Sequence, residues 1–181
     1  PWYIKEKKEA EQLANELGYS KVSEEKLAVA QKVRDYVVGG GFMFAMCSAT
    51  DSFDIALSAS NVDICESMFD GDPSEPGYQN KINFNQTFAF KDFTLEKSPL
   101  VYEFSSIDMT RKRRVPKDQD YFTLMEFSAK WDPVPTMLTQ NHVSSIRGFY
   151  GQATAFQSST VKNSVVVLAE SPGRNQVKYL H

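Results

Sequence analysis

Cys47 is the residue best placed to do chemistry. It sits in the stretch Gly39-Gly40-Gly41-Phe42-Met43-Phe44-Ala45-Met46-Cys47-Ser48-Ala49-Thr50. A glycine break and a short apolar run precede it, and a helical pattern follows at once: Asp51, Ser52, Phe53, Asp54, Ile55, Ala56, Leu57. Strand, cysteine, helix is the layout of a nucleophile elbow, where the nucleophile rides a strained turn at the top of a sheet. Ala45 and Ala49, two residues before and two after, let strand and helix approach closely. The positive end of the helix dipole favours a thiolate there. The chemistry on offer is attack on an amide or ester carbonyl, with the backbone N–H at Ser48 helping to form an oxyanion hole. The competing reading is a buried, inert thiol at a strand end, since free cysteine is among the most buried residue types.

A cysteine nucleophile needs a base. The chain has two histidines, His142 and His181. His142 closes the polar run Thr139-Gln140-Asn141-His142 and is the candidate base; the alternative is a loop histidine bonded to backbone. Asp63, Glu66, Asp70, Asp72 and Glu75 crowd around one turn. Calcium would want regular oxygen ligands around a central glycine, and the EF-hand pattern is absent, so a solvated acidic loop is the default. Residues 141–156 (NHVSSIRGFYGQATAF) either line a pocket or form a tightly packed loop. The rigid turn Trp131-Asp132-Pro133-Val134-Pro135 reads as a packing anchor. No cofactor or metal motif is expected. With only Cys47 and Cys65 and no C-x-x-C pair, neither a zinc site nor a disulfide scaffold is indicated. A cysteine on an elbow would also point away from Cys65, so no bridge between them is expected.

The elements that must position Cys47 are legible as patterns. Residues 3–17 read as a charged helix with Leu13 and Leu17 on one face, stopped by Gly18. Ser23 is the expected N-cap of a second helix, with Glu24 and Glu25 in its first turn. Leu27, Ala30, Val33, Val37 and Val38 give that helix an apolar face, and the triple glycine ends it. Phe42 to Met46, apolar without alternation, predicts a central strand covered on both sides. A third helix is expected over 49–59. Helix, buried strand, helix predicts an α/β fold.

Val62 to Cys65 is a further short candidate strand, and residues 70–77 (DGDPSEPG) are a loop. Aromatic-rich segments at Phe84 to Phe90, Leu100 to Phe104 and Tyr121 to Phe127 predict an antiparallel insertion or extension, spanning about 70–135. Val134 to Thr139 is a possible strand, Val165 to Ala169 a stronger one, and Val177 to Leu180 begins another. Two helices alone precede the elbow, so the sequence predicts that 1–181 is part of a single larger α/β domain lacking sheet strands at both ends.

Composition limits the partners. The chain has 181 residues, 41% hydrophobic and 13% aromatic, enough for a sizeable core and against disorder. A net charge of -3 gives no overall basic field for nucleic acid. Arg111-Lys112-Arg113-Arg114 is the single basic cluster; a short charge run of this kind is usually solvated loop, the alternative being a nucleic-acid or acidic-ligand patch. No apolar run approaches the roughly 20 residues that a spanning helix needs.

The stretches Gly39 to Ala59, Ile64 to Pro73, Phe127 to His142 and Gly148 to Phe156 resemble a bacterial family often labelled "asparagine synthetase B". The elbow itself resembles that of class I glutamine amidotransferase-like and ThuA-like domains. That resemblance implies a flavodoxin-like, three-layer α/β sandwich. Where class I amidotransferases carry Gly-x-Cys-x-Gly, this chain has Ala45-Met46-Cys47-Ser48-Ala49, which puts Cys47 at the nucleophile position. The implied activity is amide or acyl hydrolysis or transfer on a small-molecule substrate. The alternative is a non-catalytic ligand-binding member, carbohydrate being one candidate ligand, or an envelope-assembly protein. A literal ATP-dependent synthetase is a minor alternative, because no phosphate-cradling glycine loop is present. The family also implies a periplasmic or envelope location, and a partner chain or further segments that complete the sheet.

Overall fold

The computed structural model describes residues 2–98, 100–101, 103–109, 121–124, 145–147, 155–171 and 176–180. Its elements run α1 (Trp2–Glu16), α2 (Val22–Val38), α3 (Ala49–Ser58), α4 (Ser67–Asp70), β1 (Tyr121–Leu124), β2 (Ser145–Arg147), β3 (Val167–Ser171) and β4 (Gln176–Leu180). Short 3-10 turns lie at Tyr78–Asn80, Phe84–Gln86 and Ser158–Thr160. The chain divides into two compact units. One holds residues 1–45 and 52–87, the other 46–51 and 88–181.

The first unit is helical. Gly18 ends α1 at φ 88, a conformation that glycine adopts without a Cβ penalty, and the Tyr19 N–H reaches back to the Ala14 carbonyl. Ala14 is buried in α1, while Leu13 and Leu17, expected together on one face of a mostly exposed helix, are both exposed. At α2 the expected cap is displaced by two residues. Lys21 is the N-cap, and Glu24 instead accepts from both the N–H and the hydroxyl of Ser20, at 3.0 and 2.7 Å. Ser23 turns its hydroxyl to Asp70 Oδ2, 2.9 Å away. At the far end Gly40 stands at φ 94, and the N–H groups of Gly39, Gly40 and Gly41 bond the Asp35, Val37 and Tyr36 carbonyls, which closes the helix. Leu57, Ile55, Ala59 and Ile82 supply core, with the Asn83 N–H on the Ser58 carbonyl at 2.8 Å.

The second unit is built on Phe90, Phe93, Ile107, Ala155 and Phe156, all buried. The Phe90 and Phe156 rings pack tilted by 51° with centroids 5.2 Å apart. Isolated bridges join Phe90 to Val161, Leu95 to Ser105 and Asp108 to Phe156. The segments expected as strands at 84–90 and 100–104 are therefore turns and single bridges among the described residues. The strands form a sheet of order β2-β1-β3-β4, with every pair antiparallel. β3 and β4 lie where Val165–Ala169 and Val177–Leu180 predicted strands, β3 two residues later.

The flavodoxin-like α/β sandwich is not what this chain forms. Helix dominates the described residues, strand is scarce, and no parallel pair occurs among them. Phe42–Met46, expected as the central strand, is irregular and belongs to no ladder. Val62–Cys65 is likewise irregular. The physical reason is common to both. An apolar run makes a strand only when a neighbouring edge takes its N–H and C=O groups. Val134–Thr139 and Phe127 lie outside the described residues.

Candidate functional site

A two-residue turn at Cys47 and Ser48 joins the apolar run to α3. A Cβ at Gly41 would fall 2.3 Å from Cε1 of Tyr36, so a side chain there must displace that exposed ring. From Gly41 the chain runs without regular structure to Met46 and then turns at Cys47 and Ser48. The Ala49 N–H bonds the Met46 carbonyl at 3.1 Å. Thr50 bonds the Cys47 carbonyl twice, through its N–H at 3.2 Å and its hydroxyl at 2.7 Å. α3 begins immediately afterwards at Ala49.

This turn holds Cys47 at φ 56. A residue with a Cβ rarely takes that conformation, which costs about 1–2 kcal/mol. Asp92, at φ 54, is the other non-glycine with positive φ among the described residues. Aspartate tolerates this region because its short polar side chain can bond locally; cysteine has no such compensation. Cys47 is also exposed, against the reading of an inert buried thiol. Among the described residues no acceptor takes the Ser48 N–H, so that donor stays available beside the thiol.

Two acidic residues next to the cysteine escaped the sequence reading. Asp51 is fully buried in the first turn of α3, and Asp54 nearly so. Asp51, Asp54, Ile55 and Ser58 are all buried and follow the i, i+3, i+4, i+7 spacing of one helix face. That spacing is the signal for their burial in the sequence. His142 and His181 lie outside the described residues, as do residues 111–114, 131–135 and 141–144.

The acidic turn of the first unit is organised around a lysine. Lys21 Nζ hydrogen-bonds Asp72 and lies 3.2 Å from Asp63 Oδ2. The bond to Asp72 is the main cause that holds its ammonium above the ordinary lysine range, with Asp63 adding to it. Asp63 Oδ1 accepts the Cys65 N–H at 2.9 Å, and Ser74 donates to Glu66 at 2.9 Å. Asp63, Cys65 and Asp70 offer potential ligand atoms within 4.8 Å of one another. Burial, then the Asp70 and Asp63 carboxylates, push the Cys65 thiol above its ordinary pKa. Of the carboxylates around this turn, Lys21 pairs with Asp63 and Asp72, while Asp70 accepts from Ser23. The two cysteines are both free thiols, in contrasting settings.

No helix among the described residues is long and apolar enough to cross a membrane. No protein family, curated protein or solved structure matches this chain.

Proposed function

We propose that Cys47 is the nucleophile of a cysteine-dependent amide- or acyl-transfer site. The observation that carries this reading is an exposed cysteine held at φ 56 directly before α3. Strain of this kind persists where the surroundings enforce it, and it clusters at active sites. In the reaction, Sγ attacks the substrate carbonyl carbon and the C–N bond breaks. The nitrogen leaves as ammonia or an amine after taking a proton, and a thioester remains on Cys47. Water or an acceptor amine then attacks the thioester and releases Sγ. The Ser48 N–H supports the oxyanion, as the donor after the nucleophile does in elbow enzymes. His142 is the base that the sequence offers. The resemblance at Gly39–Ala59 favours a small amide as substrate, and an envelope location goes with the same resemblance.

A thiol-reactive probe tests the assignment. Residue-resolved mass spectrometry at neutral pH is expected to show Cys47 labelled faster than Cys65. Equal labelling, or preferential labelling of Cys65, refutes it.

A further inference from the structure

Between α1, the start of α2 and α4 the first unit holds an open cavity of about 380 Å³. Its origin is the face that α1 turns inward. Ala14 is buried and Ala10 half-buried, and both line the cavity, while Leu13 and Leu17 are exposed on the other side. Alanines at the inward positions leave unfilled the space that leucines would occupy. Protein interiors hold few voids larger than a water molecule. The volume here lies instead in the range of small-molecule sites, about 300–1,000 Å³.

The lining selects the occupant. Ala10, Ala14, Val22 and the exposed Phe69 give the cavity an apolar part. Its charges do not balance. Glu6, Glu11 and Asp70 stand against Lys7 and Lys21. Both lysines are committed: Lys7 lies 3.8 Å from Glu11, and Lys21 pairs with Asp63 and Asp72. Glu6 and Asp70 form no ion pair among the described residues. Asp70 accepts from the Ser23 hydroxyl, which is neutral and leaves the carboxylate charge uncompensated. An anion would therefore face two unpaired carboxylates. A bare metal ion would leave the apolar part empty. An ammonium group on a short apolar body satisfies both parts, and an aromatic ring such as Phe69 adds its own attraction for a cation.

We infer that this cavity binds a small organic cation, with its ammonium group toward Asp70 and Glu6 and its apolar body over Ala10, Ala14 and Phe69. Phenethylamine is the probe that tests this, and phenethyl alcohol, the same body without the charge, is the control. Proton–nitrogen NMR of the 181-residue chain follows each titration. Phenethylamine is expected to shift amides of α1 and α4 saturably, with the alcohol about tenfold weaker or more. Asp70→Asn removes a charged acceptor and is expected to weaken phenethylamine by a similar factor. Ala10→Leu fills the cavity and is expected to abolish binding, with circular dichroism showing the helices intact. The alcohol and Asp70→Asn decide the matter whether or not Ala10→Leu folds. The inference is overturned by the absence of saturable shifts, by an alcohol that binds as tightly as the amine, or by binding that Asp70→Asn leaves unchanged. Full binding by a folded Ala10→Leu overturns it too.

Discussion

The Thr50 hydroxyl donates to the Cys47 carbonyl at 2.7 Å, and this bond, with the Thr50 N–H on the same oxygen, sets the turn that lifts Cys47 to the start of α3. A side-chain hydrogen bond of this type contributes about 1 kcal/mol. Thr50→Val keeps the shape and the N–H but removes the hydroxyl. The expected result is a loss of about 1 kcal/mol in urea unfolding and slower alkylation of Cys47. Unchanged alkylation would show that the turn holds without the hydroxyl.

Backbone strain at Cys47 has a measurable cost. Replacing it by glycine relieves φ 56, so Cys47→Gly is expected to stabilise the chain by about 1 kcal/mol while abolishing acyl transfer. Cys47→Ala keeps a Cβ and is expected to show no such gain. Denaturant unfolding of the two variants side by side checks the difference.

Cys65 provides a pH-dependent contrast. Its thiol is pushed up, chiefly by burial and then by the Asp70 and Asp63 carboxylates. A raised folded-state pKa means that the protonated thiol is favoured by folding. The associated stability is fully present below the ordinary thiol range of about 8.5 and is lost as pH climbs through the higher folded value. Alkylation of Cys65 by iodoacetamide is accordingly expected to begin only at pH above that of an unfolded cysteine peptide. Asp70→Asn removes one carboxylate and is expected to move the onset downward. A Cys65 profile that coincides with the peptide's contradicts this.

Gly41 and Tyr36 form a pair that a double-mutant cycle resolves. The missing Cβ at Gly41 would meet Tyr36 Cε1 at 2.3 Å, so Gly41→Ala displaces that ring. In a Tyr36→Ala background the same substitution meets no ring. The expected coupling energy is about 1 kcal/mol, read from urea unfolding of the four proteins. Independent effects that simply add would show that the ring yields at no cost.

The helices were legible in the sequence because their signals are local. The 3.6-residue pattern and the glycine stops place α1, α2 and α3 within a residue or two. The position of Cys47 before α3 was legible for the same reason. What failed was non-local. Phe42–Met46 has the composition of a buried strand, yet no neighbouring strand takes its backbone groups among the described residues. The acidic turn depends on Lys21, far from Asp63 and Asp72 in sequence, and no spacing rule points to it. Ser23 has the right type for a cap, but the helix begins one residue before it, and its hydroxyl donates to Asp70, distant in sequence.

Acylation of Cys47 tests the central claim most directly. The chain is incubated with an activated acyl donor at neutral pH, and intact-mass and peptide mass spectrometry follow. The predicted result is one acyl adduct per chain, mapped to Cys47, released by hydroxylamine as a thioester and absent from Cys47→Ala. No adduct, or acylation of Cys65 to the same extent as Cys47, would contradict the assignment.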